Sequence, residues 1–123
     1  MKTTPKVNWL IVPEETNYPA AESYLNLLLE PEEVVRIIEK IRKAKMVQFK
    51  AKDIFRASGL SLLGVSNHHL EKDIKKISAG KKLSPLLLVR DSKHGKVIVA
   101  DGYHRLCAIY TFDEDAVIPC KIV

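Results

Sequence analysis

"SPLLLVRDSKHGKVIVADGYHRLCAIY", residues 84–110, carries the fold class in one stretch. Two apolar runs, 86–89 and 97–100, flank "RDSKHG", whose Asp, Ser and Gly are turn formers, so the stretch begins as a β-hairpin. Both runs are apolar at consecutive positions, as in strands covered on two faces, and both are expected to be central strands. The second run breaks at Asp101-Gly102, and a helix is expected from Tyr103 to about Phe112. A hairpin feeding a helix interrupts any simple βαβ series. The expected class is therefore α+β, a mixed sheet with flanking helices.

Downstream, "DEDA" (113–116) reads as an acidic turn and "VIPCKIV" (117–123) as a closing strand, with Pro119 suited to an edge or strand-start position. Upstream, "SNHHLEKDIKKISAG" (66–80) sets Leu70, Ile74 and Ile77 on one helical stripe. Ser66 or Asn67 is available as its N-cap, and Gly80, preceded by lysines, closes it. "DIFRASGLSLLGVS" (53–66) mixes two glycines into an irregular pattern and reads as a loop with a short helical turn at most. From Met46, Val47, Phe49 and Ala51 alternate with Gln48, Lys50 and Lys52, the period of a half-buried strand.

The first part of the chain has a different period. Val34, Val35, Ile37, Ile38 and Ile41 recur at helical spacing, with Arg36, Glu39, Lys40, Arg42 and Lys43 on the other face. Pro31 suits the first helical position, Glu32 and Glu33 complement the positive end of the dipole, and Lys43 and Lys45 its negative end. A shorter helix over 20–29, capped by Asn17, is expected before it. The chain thus divides into a helical arm, 1–45, and a core, 46–123, within one domain.

Composition sets the limits. A chain of 123 residues with 46% hydrophobic and 28% charged residues can bury one core, which excludes a disordered protein. The net charge of +5 suits a neighbour of phosphates. Two cysteines, Cys107 and Cys120, without CxxC spacing encode neither a disulfide framework nor a zinc ribbon, and both read as small buried hydrophobes. The N-terminal apolar stretch is interrupted by Asn8 and stopped by Pro13, too short for a secretory leader, and no apolar run approaches a membrane span. These features point to a soluble, cytoplasmic protein. His68, His69, His94 and His104 lack metal-ligand spacing, so no metal centre of histidines is expected.

The junction at residues 101–105 is the candidate site. A strand that stops at Asp-Gly and becomes a helix aims free backbone N–H groups and the positive end of a dipole at one point, worth about 0.3–1 kcal/mol per unit of negative charge. Arg105 can grip a phosphate with two parallel bonds, His104 can donate a hydrogen bond or a proton, and Gly102 allows a sharp bend or close approach of an anion. Such junctions are also common without any ligand. Asp101 has two readings: an Asx-type turn residue, or a carboxylate that holds Mg²⁺ or handles a substrate hydroxyl.

"DGYHRLCAIY" followed closely by "IPCKIV", and preceded by a helix, "SPLLLV" and a second strand, resembles the ParB/sulfiredoxin superfamily, whose signature is a strand, a Gly-containing turn and an HR or RR pair opening a helix. The similarity is most specific over 84–123 and reaches loosely back to about Met46. It implies a nucleotide whose phosphates sit on the first turn at Tyr103, His104 and Arg105. Sulfiredoxin has a cysteine where this chain has Tyr103, and a phenol cannot replace that nucleophile, so sulfinic acid reduction is not expected. The ParB branch binds CTP and clamps DNA with a helix-turn-helix segment and a dimerisation tail. This sequence ends at Val123, immediately after the last expected core strand, so loading and sliding on DNA by that route is not expected. A third branch contains a kinase for free serine with an acidic residue before the glycine, the position of Asp101.

By the same resemblance, a basic residue near the start of the preceding helix approaches the phosphates. Ungapped placement puts His69 there, with Lys72 one turn later. Independently, Arg36, Lys40, Arg42, Lys43, Lys45, Lys50, Lys52 and Arg56 could form a basic stripe, with Lys43 and Lys45 as candidate DNA contacts. The expected function is binding of a nucleotide (ATP, ADP or CTP) with Mg²⁺ at 101–105, with NTPase or phosphotransferase turnover as its extension. The alternatives are a DNA-binding, partition-type module and a non-catalytic scaffold. In the last, the arm contacts a partner protein or a second copy.

Overall fold

The computed structural model describes residues 6–61 and 68–123, with side chains from Leu70 onward in the second segment. The chain runs β1 (Asn8–Trp9), α1 (Asn17–Leu25), α2 (Pro31–Lys43), β2 (Val47–Lys50), α3 (Ala51–Ser58), α4 (His68–Ser78), β3 (Lys82–Leu83), β4 (Leu86–Asp91), β5 (Lys96–Asp101), α5 (Tyr103–Phe112) and β6 (Val117–Ile122). Four strands form one sheet in the order β2-β6-β4-β5, and β1 pairs with β3 in a short parallel ribbon. The β4–β5 and β2–β6 pairs are antiparallel, whereas β4 and β6 run parallel. The fold is α+β.

Strand alternation splits the interior in two. Leu86 and Leu88 of β4, Val99 of β5 and Ile118 and Cys120 of β6 share one core with the buried residues of α3, α4 and α5. Leu87, Val89 and Ala100 face the other side, where Ala21 and Leu25 of α1 and Val34, Ile38 and Ile41 of α2 cover them. The central sheet is therefore buried on both faces, which is why its strands read as unbroken apolar runs. The two N-terminal helices form one of these covering layers. Lys121, only 7% exposed, fastens that layer from below, its ammonium donating to the Arg42 carbonyl at 2.7 Å.

Several expectations are corrected by this arrangement. The segment expected as a loop is in part the helix α3, whose Ile54 lies in the core and whose end is marked by Gly59 at φ 66°. Its glycine terminates the helix rather than diluting it. The alternation read through Ala51 ends at Lys50, since Ala51 already opens α3. Asn17 is the first residue of α1 and no cap, because its side-chain oxygen accepts from the Ser84 hydroxyl instead. That helix also stops at Leu25, four residues before the expected end. Within α2, Val35 is half-exposed, outside the buried stripe of Val34, Ile38 and Ile41.

The strand order brings two more corrections. Of the hairpin strands only β4 is central, and β5 is an edge strand that helices nevertheless cover on both faces. Conversely, β6 lies inside the sheet despite Pro119. Its ladder with β4 begins at Cys120, so Pro119 has only Gln48 of β2 opposite it and the missing N–H disrupts no pairing with β4. The proposed caps Ser66 and Asn67 lie outside the described residues, while the far end of α4 follows expectation, with Gly80 at φ 73° just beyond it.

Candidate functional site

The β4–β5 ladder is regular from Asp91–Lys96 to Leu88–Val99, and then Leu87 lies opposite Asp101, which leaves Ala100 as an extra residue on β5. Such a bulge re-aims the residue that follows it. Here the next residues are Asp101 and Gly102. Gly102 has φ 108°, and a Cβ built on it would lie 2.7 Å from Leu86 Cγ and 2.9 Å from Arg105 Nη2. Only glycine lets the chain turn that sharply over the β4 side chains. The turn starts α5, whose Leu106 N–H donates to the Gly102 carbonyl at 2.9 Å. Leu106, Cys107, Ala108 and Ile109 then bury the helix against the sheet, so its first turn is rigidly placed.

Arg105 folds back over this turn. Its Nη2 donates to Asp101 Oδ2 at 2.8 Å and, more weakly, to the Pro85 carbonyl at 3.4 Å. The two side chains are 17% and 15% exposed, so the pair is largely desolvated. Nε of Arg105 is buried and has no hydrogen-bond partner among the described residues. An N–H left in that state costs about 1–3 kcal/mol.

Beside the pair opens a cleft of about 230 Å³ between α4 and the start of α5, lined by Lys72, Asp73, Lys76, Asp101, Gly102, His104 and Arg105. A second hollow continues from it past Asp73, Lys76 and Arg105 towards Glu14, Asn17, Lys82 and Ser84. Three of these residues are linked by hydrogen bonds: the Ser84 hydroxyl accepts the Glu14 N–H at 3.0 Å and donates to Asn17. Across the first cleft three cations face two carboxylates, so the balance favours an anion without making the site strongly basic.

Of the residues expected at the site, Asp101, Gly102, His104, Arg105 and Lys72 do line one cleft. Tyr103 is not among the lining residues. Its hydroxyl donates to the Ser61 carbonyl, and burial, helped by Cys107, pushes its pKa up. That phenol acts as a tie between α5 and the segment after α3. His69 lies on α4 one turn before Lys72, with its side chain outside the described residues. Lys43 and Lys45 are exposed at and beyond the end of α2 and do not line the cleft. In the basic stripe, Arg42 is held by Glu15 at 2.7 Å and Lys52 by Asp115 at 2.6 Å.

Lys76 and Asp73 were not anticipated, though the four-residue spacing of Lys72 and Lys76 beside the apolar stripe of α4 could have suggested the first. The Asp101–Arg105 pair was also unforeseen. Its signal was available in the same spacing across the strand-helix junction. Both cysteines are buried, and burial pushes the Cys120 thiol up to about 12.

The chain matches no protein-family model, no curated protein and no solved structure. What fold and site together define is an α+β protein with a bulged strand, a glycine turn and a polar cleft at a helix start. Among the described residues no helix is long and apolar enough to cross a membrane.

Proposed function

We propose that the cleft at the start of α5 binds the phosphates of a nucleotide, as the likeness of "DGYHR" to the ParB/sulfiredoxin motif implies. The observation that carries this reading is Arg105, a desolvated guanidinium with an unpartnered Nε at a helix N-terminus, facing Lys72 and Lys76. A phosphate oxygen supplies acceptors that the protein lacks there, and the helix dipole adds to the attraction. Asp101 holds the guanidinium in place by its bond to Nη2. His104, on the same turn, donates a hydrogen bond to the bound phosphate. In an enzyme built on this site, Asp101 would exchange Arg105 for Mg²⁺ or for the hydroxyl of an acceptor when the nucleotide enters.

Titration of ATP, ADP, CTP and GTP, with and without Mg²⁺, against wild type and Arg105→Ala tests the proposal. Binding by wild type that falls at least tenfold in the variant is expected. Absence of binding by wild type, or equal binding by the variant, overturns it. Release of inorganic phosphate or of a phosphorylated hydroxyl compound identifies turnover. A salt-dependent shift of duplex DNA, lost on reversing Lys43 and Lys45, without any nucleotide binding, makes nucleic acid the partner instead.

A further inference from the structure

On the face of the sheet that α3 covers, a separate cavity of about 230 Å³ lies between that helix and the strands, and it shares no residue with the cleft at α5. Its walls are apolar, formed by Ile54 and Ala57 of α3 with Phe49, Leu88, Val97 and Ile122, one from each strand of the sheet. Two exposed polar side chains complete it: the carboxyl of Asp53 from the first turn of α3 and the guanidinium of Arg90 from β4. The register explains the second, because Arg90 pairs with Val97 on β5 and continues the Leu86–Leu88 side of β4 beyond the core. Neither charge forms an ion pair with any described residue.

We propose that this cavity binds a free apolar α-amino acid of leucine or phenylalanine type. An apolar chamber with one carboxylate and one guanidinium in its lining matches each part of such a molecule. The side chain enters among Ile54, Leu88, Val97 and Ile122, the α-carboxylate meets Arg90, and the α-ammonium meets Asp53. Cavities that hold drug-sized ligands start at roughly 300 Å³, so this one takes something smaller. A fatty acid would bring a carboxylate but nothing for Asp53, and an apolar amine would leave Arg90 without a partner. The zwitterion alone satisfies both.

Amide chemical-shift mapping on the full chain, titrated with L-leucine, L-phenylalanine, L-serine, 4-methylpentanoate and 3-methylbutylamine, tests the proposal. Saturable shifts centred on Ala57, Val97 and Ile122 are expected with leucine or phenylalanine, with at least fivefold weaker binding of serine and about two- to fivefold weaker binding of each compound lacking one charge. Ala57→Leu, which fills the chamber, should abolish the shifts. Arg90→Gln, at an exposed position that leaves the fold intact, should weaken leucine about two- to fivefold, as an exposed ion pair contributes. No saturable shift with either apolar amino acid overturns the proposal. So does binding of the acid and the amine as tight as that of leucine, which would make the cavity an unselective apolar cleft.

Discussion

Gly102 answers to three neighbours at once: the bulge before it, Leu86 beneath it and the Arg105 guanidinium above it. Gly102→Ala must place a Cβ 2.7 Å from Leu86 Cγ at φ 108°, and is expected to lose about 1–3 kcal/mol in urea unfolding. At Asp101 the partnership with Arg105 makes a sharper prediction. Asp101→Asn removes the competing charge from the guanidinium, so Mg²⁺-free phosphate affinity should rise, measured by calorimetry, while any Mg²⁺-dependent gain should disappear. A third residue, Cys120, titrates only with difficulty, because burial raises its pKa to about 12. Its folded pKa exceeds the unfolded one, so its contribution is intact below about pH 8.5 and is lost as pH climbs towards 12. Cys120→Ala should therefore flatten the alkaline fall in stability, followed by circular dichroism. At this scale the sequence was informative about Gly102 and Arg105, whose chemistry is local, and silent about their mutual geometry. The second bond of Arg105 and the aim of Tyr103 depend on Pro85 and Ser61, distant residues whose approach no local pattern encodes.

The elements follow the same division. Helix α2 was legible at its start, marked by Pro31 and the first-turn glutamates, while its end was marked only by lysines spread over 43 and 45, and it stops at Lys43. Helix α3 was not, because its eight residues give barely two turns of periodicity and the glycine that ends it reads equally as a loop. Ribbon β1–β3 was missed as well, being only two residue pairs joined across 74 positions of sequence. The layer α1–α2 was recognised as a helical pair, but its burial of Leu87, Val89 and Ala100 is a tertiary fact. Two outcomes follow from that burial. Leu25→Ala, at a fully buried position, should cost about 2–5 kcal/mol in denaturant unfolding. Residues 46–123 expressed alone should bind a hydrophobic dye strongly and lack a cooperative melt, since one face of β4 would be bare.

In the whole molecule, the strand order accounts for both errors made about the sheet. A strand covered by helices on two faces is apolar whether or not it has neighbours on both sides, so β5 looked central while forming an edge. The same logic runs in reverse for β6, where one proline suggested an edge although the parallel ladder with β4 begins only after it. That order also concerns how the molecule is made. On the ribosome the hairpin of β4 and β5 emerges with one flank waiting, and β2 emerges long before it with no lateral partner. Residues 117–122 act as a keystone, joining the two halves when they leave the exit tunnel and not before. Until then the nascent polypeptide offers two open flanks to chaperones and to other chains.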